Sequence, residues 1–224
     1  KAAKKKERNL AAFCMGQYGQ FSRLQSMICG SRIAYGYVND ESAAGQPSLE
    51  EMNKIYNIKS LNKSTKIAGL IGNPVEHSWS HVIQNAAFKK IGFNAVYLKF
   101  KVDKLKEFVK YIRKTDAVGF SVTIPHKSRI IEHLDDIDKK AEEIGAVNTI
   151  VIKNKKWTGY NTDCEGAIEA IKSKIILKKK NVVVLGSGGA ARAIIYGLMK
   201  NKANVTVLNR TKKKAKDVAE HFDC

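Results

Sequence analysis

A threonine and a lysine lie at the end of a segment in which apolar and polar residues alternate, Gly119–Lys127. The alternation predicts a strand over Ala117–Ile124. Pro125 has no N–H to donate, so it predicts the end of the strand and the start of a helix. Lys127 is therefore expected where a strand meets a helix, the usual position of ligand-binding groups in α/β proteins, and Thr123 would face the same crevice. The alternative is a surface lysine in a lysine-rich chain.

A carboxylate follows further along the chain. Two apolar runs, Ala146–Ile152 and Lys156–Tyr160, predict a hairpin, and Asp163 comes shortly after it. Asp163 could cap a helix over Glu165–Lys172. Alternatively it could face Lys127, keep the ammonium charged and relay a proton.

Three other polar residues each have two interpretations. Asn148 interrupts the first apolar run of the hairpin, and a buried amide without partners costs about 1–3 kcal/mol. It is expected either to contact a ligand or to be satisfied inside the protein. Ser78 and Ser80 flank the start of a helix predicted over Ser80–Ile91, after a strand at Lys66–Gly72. Two hydroxyls beside the free N–H groups of a helix form a carboxylate site, whereas a single serine is more often a helix cap.

A glycine-rich loop follows an apolar run near the end of the chain. Asn181–Leu185 predicts a buried strand, and a helix is predicted to reach about Asn201. The loop between them consists of Gly186, Ser187, Gly188, Gly189, Ala190 and Ala191. Glycines permit a tight turn and let a pyrophosphate approach the N-terminus of the helix. Because a strand and a helix flank it, the loop predicts a dinucleotide site.

The next predicted strand, Asn204–Leu208, ends in a basic turn. In an NAD site an acidic residue near this position takes the ribose 2′-hydroxyl. Here the residues are Asn209, Arg210, Thr211 and Lys212, followed by two further lysines. This composition favours the 2′-phosphate of NADP. The alternative is an exposed charged turn.

The composition indicates a globular protein, with 44% hydrophobic and 27% charged residues in a chain of 224. No run of eighteen apolar residues and no apolar leader is visible, so neither a membrane span nor a secretory leader is expected. The four cysteines lack CxxC spacing. Their wide separation fits reduced thiols in a cytosol-like compartment and argues against a zinc site.

The net charge of +19 raises the question of nucleic-acid binding. The lysines are spread along the chain, and the runs Lys178–Lys180 and Lys212–Lys214 flank the glycine-rich loop. No helix-turn-helix, zinc-finger or RNP pattern accompanies them. We therefore expect the charge to solvate the protein and to attract anionic small molecules.

The first 58 residues predict a separate piece of α/β structure. Strands are expected at Leu10–Met15 and Ile33–Val38, with helices at Ser22–Ile28 and Ser48–Tyr56. A Ser-x-x-Glu capping box opens the second helix. A barrel of such units needs about 250 residues, so the piece is expected to continue upstream.

This segment resembles the end of type I 3-dehydroquinate dehydratase, a (β/α)8 barrel family. The matching motifs are Phe13–Gly16, Ser22–Arg23, Gly30–Ser31 and Glu41–Gln46. The resemblance implies that Arg23 holds the substrate carboxylate, as a bidentate guanidinium can, and that Ser42 and Gln46 contact the substrate. Ala44 stands where the family usually has proline. The Schiff-base lysine and the histidine of the family are expected upstream, so no dehydration is expected from these residues alone.

From about residue 66 the sequence resembles shikimate dehydrogenase. Six motifs occur in the family's order: Gly72–Pro74 with His77–Ser80, Gly119–Lys127, Gly145–Thr149, Asn161–Asp163, Gly186–Ala191 and Asn209–Thr211. The resemblance implies reversible, NADPH-dependent reduction of 3-dehydroshikimate to shikimate. The order of the two segments also resembles the fused bifunctional enzymes of the shikimate pathway in plants and some bacteria.

The resemblance also implies roles for individual residues. The residues expected to act on the substrate are Ser78 and Ser80 for the carboxylate, Thr123 and Asn148 for ring hydroxyls, and Lys127 with Asp163 for proton transfer. The glycine-rich loop and the basic turn would bind NADP(H), and no metal is implied. The alternatives are a quinate dehydrogenase that uses NAD and a non-catalytic protein of the same fold that binds a dinucleotide or a small acid.

The predicted organisation is therefore α/β throughout. It comprises the end of a (β/α)8 barrel at 1–58, a linker at 59–65, a substrate-binding domain at 66–165 and the first βαβ half of a Rossmann NADP-binding domain at 166–224. A doubly wound domain continues past its second strand, so further residues, among them a Tyr-Asp motif and a glutamine of the family, are expected after Cys224. The expected partner is a small-molecule substrate, with neither nucleic acid nor membrane. The expected location is the cytoplasm, or a plastid for a plant-type parent.

Overall fold

In a computed structural model of the protein, residues 10–224 are described, and the chain divides into two compact units. The first unit ends at Ser121, and the second runs from Val122 to Cys224. Both contain β-strands and α-helices, which confirms the predicted α/β class. The domain boundaries placed at residues 58, 65 and 165 stay predictions.

The first unit has a parallel sheet with helices packed against it. Its elements are α1 (Gln20–Ile28), β1 (Lys66–Gly72), α2 (Ser80–Lys90), β2 (Ala95–Lys101), α3 (Leu105–Ile112) and β3 (Ala117–Val122). The strands lie in the order β2-β1-β3, and β1 runs parallel to β2. The bounds of β1 and the start of α2 agree with the sequence predictions, and α2 ends one residue earlier than predicted.

The apolar sequence of β1 explains its central position. Every residue of β1 after Lys66 is buried, as expected for a parallel strand that is covered on both faces. The rings of Phe100, Phe108 and Phe120 pack edge to face beside it, with centroids 5.2, 5.8 and 5.9 Å apart. Phe21 of α1 joins this cluster, with its centroid 4.8 Å from that of Phe100. Helix α1 is therefore packed against the sheet.

Two strands predicted in the first 58 residues are wrong. Leu10–Met15 and Ile33–Val38 are not in strands, and the pairing in this part of the described chain is one isolated bridge between Tyr37 and Ser48. A strand requires a neighbour that exchanges backbone hydrogen bonds along its length. Neither segment has such a neighbour within residues 10–224. Apolar sequence alone does not supply one.

The helix predicted over Ser48–Tyr56 is a π-helical turn at Glu51–Ile55. Its i+5 pattern is seen where the Tyr56 N–H donates to the Glu51 carbonyl at 3.0 Å. The predicted capping box is present. The Glu51 N–H donates to Ser48 Oγ at 3.0 Å, and the Ser48 N–H donates to Glu51 Oε2 at 3.2 Å.

The second unit combines a hairpin with a parallel strand pair and four α-helices among its described residues. Its elements are β4 (Asp136–Ile137), α4 (Lys139–Ile144), β5 (Thr149–Lys153), β6 (Lys156–Tyr160), α5 (Asp163–Lys172), β7 (Asn181–Leu185), α6 (Gly189–Lys200), β8 (Asn204–Leu208) and α7 (Lys212–Phe222). β5 and β6 form the predicted antiparallel hairpin, turning at Asn154 and Lys155 with φ of 51° and 64°. β4 pairs parallel to β6, and β7 pairs parallel to β8.

No α-helix begins at Pro125, contrary to the prediction. The Thr123 carbonyl accepts the His126 N–H at 2.9 Å, which closes a turn, and a short 3₁₀ segment follows at Arg129–His133. β3 ends before Ile124, whose side chain is 64% exposed. The turn redirects the chain before a run of helical hydrogen bonds is established, and a helix without such a run is not stable.

The prediction that β7 is a buried strand is also wrong. Val184 is buried, but Val183 is 57% and Leu185 is 81% exposed. β7 has β8 as its strand neighbour among the described residues. Apolar composition indicates a strand, but the elements around the strand determine which of its faces are covered.

Candidate active site

Lys127 and Asp163 form an ion pair in the second unit. Lys127 Nζ lies 2.5 Å from Asp163 Oδ2, and the two side chains are 15% and 27% exposed. Asp163 therefore faces Lys127, one of the two roles considered for it. It is also the first residue of α5, where a carboxylate interacts favourably with the helix dipole. The pair places a proton donor and its counter-charge at a fixed position beside the start of a helix.

Asn148 connects this pair to the residue before α5. Its Nδ2 donates to Asp163 Oδ1 at 2.8 Å and to Thr162 Oγ1 at 2.9 Å. Its Oδ1 accepts the Thr162 N–H at 3.0 Å and the Thr149 hydroxyl at 2.9 Å. Both donors and both acceptor positions of the amide are occupied. In this structure Asn148 therefore acts as a satisfied structural amide that orients Asp163 toward Lys127.

Asn161 is a second positioning amide, to which the sequence analysis assigns no role. It is 1% exposed, and its Nδ2 donates to the Ala146 carbonyl at 2.9 Å. Its Oδ1 accepts the N–H groups of Asp163 at 3.0 Å and Cys164 at 3.4 Å. It thus fastens the start of α5 to the segment that precedes β5. The available signal was an asparagine two residues ahead of a helix, the pattern of an Asx turn that caps free N–H groups.

The glycine-rich loop lies against Lys127. Gly186 has φ of +119°, a backbone conformation that L side chains rarely adopt, and α6 begins at Gly189. A Cβ atom on Gly189 would lie 2.6 Å from Lys127 Cβ and 3.3 Å from Ala146 Cβ. The N-terminus of α6, with its free N–H groups, is therefore next to the stem of Lys127. An anion bound at this N-terminus would be close to the ion pair.

Ser78 and Ser80 are held together in the first unit. The Ser78 hydroxyl donates to Ser80 Oγ at 3.0 Å and accepts the Ser80 N–H at 3.2 Å. Ser80 is the first residue of α2, and Trp79 between the two serines is 73% exposed. Ser78 thus satisfies one free N–H group of the helix. Both hydroxyls are partly accessible at its positive end, an arrangement suited to a carboxylate.

The basic turn after β8 leads directly into α7. Asn209 Nδ2 donates to the Thr211 carbonyl at 3.1 Å, which closes the turn, and α7 begins at Lys212. Arg210, Thr211 and Lys212 are exposed. The first turn of α7 contains no acidic residue. Positive side chains therefore add to the positive end of the helix dipole, which favours a bound phosphate.

Comparison with protein families assigns most of the chain. Residues 70–150 match the shikimate dehydrogenase substrate-binding domain, and residues 169–224 match shikimate/quinate 5-dehydrogenase. Residues 1–63 match type I 3-dehydroquinase. The chain carries shikimate dehydrogenase sequence behind a type I 3-dehydroquinase-like segment. The two resemblances in the sequence, and their order, are confirmed.

Individual relatives agree with this assignment. The chain is 39% identical to the chloroplastic bifunctional 3-dehydroquinate dehydratase/shikimate dehydrogenase of Arabidopsis thaliana, over 92% of this chain and 37% of that protein. It is 50% identical to shikimate dehydrogenase (NADP(+)) of Methanocaldococcus jannaschii, over 72% of this chain and 58% of that protein. The chain thus spans between a third and three fifths of the length of these relatives.

A solved structure shares the fold. The crystal structure of shikimate 5-dehydrogenase from Thermus thermophilus, in complex with NADP(H) and shikimate, aligns with a TM-score of 0.63 at 34% identity. The alignment covers 71% of this chain and 61% of that chain. The mixed α/β architecture of this chain is therefore that of the shikimate dehydrogenase structures.

In the dehydroquinase-like segment, the three residues expected to bind substrate have different surroundings. Arg23 is 3% exposed, with its guanidinium 4.5 Å from the centre of the Phe13 ring and Nη2 3.4 Å from Met15 Sδ. Its Nε has no hydrogen-bond partner among residues 10–224. The Ser42 hydroxyl donates to Gln46 Oε1 at 2.7 Å. The structure therefore brings Ser42 and Gln46 together, and buries Arg23 against an aromatic ring.

Within residues 10–224, no group of three histidine, cysteine, aspartate or glutamate side chains could hold a metal ion. All four cysteines, Cys14, Cys29, Cys164 and Cys224, are free thiols. In the same range, no helix has the length and apolar character needed to cross a membrane.

Proposed function

We propose that this protein catalyses the NADPH-dependent reduction of the ketone of 3-dehydroshikimate to the hydroxyl of shikimate, and the reverse oxidation. The observation that supports this most directly is the Lys127–Asp163 pair, joined at 2.5 Å, whose lysine stem lies against Gly189 at the start of α6. A proton donor next to a dinucleotide site is what carbonyl reduction requires.

Lys127 supplies the proton in this scheme. As the ketone is reduced, negative charge develops on its oxygen, and the Lys127 ammonium stabilises that charge and then donates a proton to form the hydroxyl. Asp163 orients the ammonium and compensates its charge. Asn148 and Asn161 hold Asp163 in place through the hydrogen bonds described above. In the reverse direction Lys127 accepts the proton from the hydroxyl.

Other side chains orient the substrate. Ser78 and Ser80 at the N-terminus of α2 are assigned to the carboxylate, because they combine two hydroxyls with the positive end of a helix. Thr123 is assigned to a ring hydroxyl. Asn148 reaches a ring hydroxyl only by exchanging one of its present bonds, such as that to Thr162.

NADP(H) fits the residues of the glycine-rich loop and the basic turn. Gly186 has a positive φ, and a Cβ on Gly186 or Gly188 would have no described atom within 4 Å apart from its chain neighbours. This leaves room for a phosphate at the start of α6. Gly186, Ser187, Gly188, Gly189 and Ala190 would hold the pyrophosphate, and Asn209, Arg210, Thr211 and Lys212 the 2′-phosphate. The bound cofactor would supply the hydride for the reduction.

The dehydroquinase-like segment has a separate assignment. Arg23, Ser42 and Gln46 are proposed to bind substrate in a 3-dehydroquinate dehydratase site, an activity in the name of the Arabidopsis relative. That site would form 3-dehydroshikimate only together with the lysine and histidine expected upstream. The dehydrogenase reaction would then consume that product.

A matrix of four assays tests the dehydrogenase proposal. The full-length protein is supplied with shikimate or quinate, each with NADP⁺ or NAD⁺, and reduced cofactor is followed by absorbance. The proposal expects the highest kcat/KM for shikimate with NADP⁺. A preference for quinate with NAD⁺ would favour the quinate dehydrogenase alternative, which shares the family matched by residues 169–224. Tight binding of NADPH without turnover of either acid would identify a binding protein and overturn the catalytic assignment.

A further inference from the structure

Two consecutive residues of the dehydroquinase-like segment, Gln17 and Tyr18, are connected through intermediate side chains to the loop that carries Ser78 and Ser80. We call residues 73–80 the serine loop. Gln17 and Tyr18 lie in a 3₁₀ turn just before α1, far from this loop in sequence. Each reaches the serine loop through one charged residue at or after the end of β2, Lys101 or Asp103.

The first connection runs through Lys101. Its Nζ donates to Gln17 Oε1 at 2.8 Å and to Glu76 Oε1 at 2.7 Å. The Lys101 side chain is 17% exposed, so it is shielded more than most surface lysines. The Lys101 ammonium holds the pKa of Glu76 at about 2, far below its usual value. Glu76 is therefore a carboxylate at neutral pH, and its hydrogen bond with the Lys101 ammonium is charge-assisted.

The second connection runs through Asp103. The Tyr18 hydroxyl donates to Asp103 Oδ2, and Asn73 Nδ2 donates to Asp103 Oδ1 at 2.5 Å. One carboxylate thus joins the dehydroquinase-like segment to the first residue of the serine loop. Lys101 also lies 5.5 Å from the centre of the Tyr18 ring, which places the two connections side by side.

The anchored residues lead directly to the serines. Glu76 Oε2 accepts the Val75 N–H at 2.9 Å, and the Val75 carbonyl accepts the Ser78 N–H at 3.2 Å. The loop is therefore fixed at Asn73 and Glu76, immediately ahead of Ser78. The same part of the chain is also packed on β2 and α3: Phe21 of α1 contacts Phe100, and the Tyr111 hydroxyl donates to Gln25 Oε1 at 2.5 Å.

We propose that Gln17 and Tyr18 of the dehydroquinase-like segment are positioning residues for the shikimate site, and that they hold the serine loop in its carboxylate-binding geometry through Lys101 and Asp103. The claim that the serine loop binds the shikimate carboxylate rests on the proposed function. The geometric part of the proposal, that Gln17 and Tyr18 hold the serine loop in place, depends only on the contacts described above. The two enzymatic segments would then be coupled mechanically: the first segment preorganises the binding site of the second.

Hydrogen–deuterium exchange tests the geometric part without any ligand. The variants are Tyr18→Phe, which removes one hydroxyl, Lys101→Met, which keeps the length of the stem, and the double variant. Lys104→Met is the matched control, because Lys104 bonds Glu107 on the surface and both side chains are over 70% exposed. We expect exchange in the serine loop to rise at least about tenfold in the double variant, the size expected when even one hydrogen bond to a charged group is lost, with the control unchanged. Lys101→Arg should restore protection.

Two results would overturn this part. One is unchanged exchange in the serine loop of the double variant. The other is faster exchange spread evenly over residues 10–121, which would show that these side chains stabilise the fold without fixing the loop.

Ligand titration tests the functional part. Shikimate and NADPH are titrated separately, with the exposed Trp79 between the two serines as fluorescent reporter for shikimate. The double variant should bind shikimate about tenfold more weakly and NADPH as tightly as the wild type. Equal shikimate affinity in both proteins would overturn the positioning role. If the wild type binds no shikimate, the proposed function fails, and the exchange experiment still decides whether the segment holds the loop.

Discussion

Gly189 and Lys127 are in direct contact: a Cβ atom on Gly189 would lie 2.6 Å from Lys127 Cβ and 3.1 Å from its Cδ. Only a residue without a side chain lets α6 begin this close to the lysine. We expect Gly189→Ala to push the Lys127 stem away from Asp163 and to destabilise the protein by about 1–3 kcal/mol, the usual cost of overpacking. Urea unfolding measures the stability, and the steady-state assay measures the accompanying loss of turnover.

Gly166 provides the matched control for that substitution. It lies inside α5, and a Cβ atom there would meet nothing within 4 Å. Alanine is preferred over glycine in a helix interior by about 1 kcal/mol, so Gly166→Ala should stabilise the protein. If both glycine variants unfold at the same urea concentration, the close approach to Lys127 has no energetic consequence and the prediction fails.

The proton-transfer role predicts the behaviour of Lys127→Ala. Turnover should fall by about 10²–10⁴-fold, the usual contribution of a positioned acid–base group, while NADPH affinity stays near the wild-type value. Lys156→Ala is the control, because Lys156 forms a similar ion pair with Asp136 that is more than half exposed. Near-normal turnover of Lys127→Ala would remove the lysine from the mechanism.

Much of this site could be predicted from local sequence, because local sequence determines strand ends, turns and helix starts. The sequence predicts Lys127 after the end of a strand and Asp163 near the start of a helix, and the ion pair between them is one of the two roles it leaves open for Asp163. The glycine-rich loop was likewise identified by its flanking strand and helix. Strand ends, turns and helix starts can be predicted from capping residues, glycines and the alternation of apolar and polar residues.

The failures concern features that depend on neighbours. Leu10–Met15 and Ile33–Val38 have strand-like composition but no pairing partner among residues 10–224. β7 is apolar but largely exposed, because the elements around a strand, and not its own composition, determine which of its faces are covered. The network around Asn148 and the contact of Gln17 with Lys101 join residues far apart in sequence. No local pattern encodes such long-range partners.

The basic turn predicts how the cofactors are distinguished. Arg210→Asp should weaken NADPH binding by about tenfold or more, since a charged group contributes roughly 1.5–3 kcal/mol to such a bond, and should leave NADH binding nearly unchanged. Lys216→Asp, further along α7 in a pair that is largely exposed, controls for the loss of positive charge. Fluorescence titration with both cofactors gives the comparison. Equal weakening of NADPH and NADH would contradict the 2′-phosphate assignment.

Substitution of the buried Asn161 should lower both the stability and the turnover of the protein, because Asn161 positions Asp163. Asn161→Ala leaves the N–H groups of Asp163 and Cys164 and the Ala146 carbonyl without their present partner. We expect a destabilisation of about 1–3 kcal/mol for each group left unsatisfied, measured by urea unfolding, together with a lower kcat. Asn161→Asp keeps the acceptor but loses the donor to Ala146, so it should be intermediate. A variant as stable and active as the wild type would exclude the positioning role.

Glu76 predicts a specific dependence of stability on pH. The Lys101 ammonium lowers the folded-state pKa of Glu76 to about 2, from an ordinary value of 4.5. A carboxyl whose pKa is depressed on folding adds stability above its unfolded pKa, and that stability is lost as the pH falls toward the folded pKa. The contribution of Glu76 should therefore be complete at pH 7 and decline from about pH 4.5 toward pH 2.

Because the Glu76 side chain is 39% exposed, solvent screens the pair and salt should reduce the effect. Urea midpoints of wild type and Glu76→Gln across this range provide the measurement. The two curves should converge at the acid end, and a constant offset between them would show that the carboxylate does not titrate with folding.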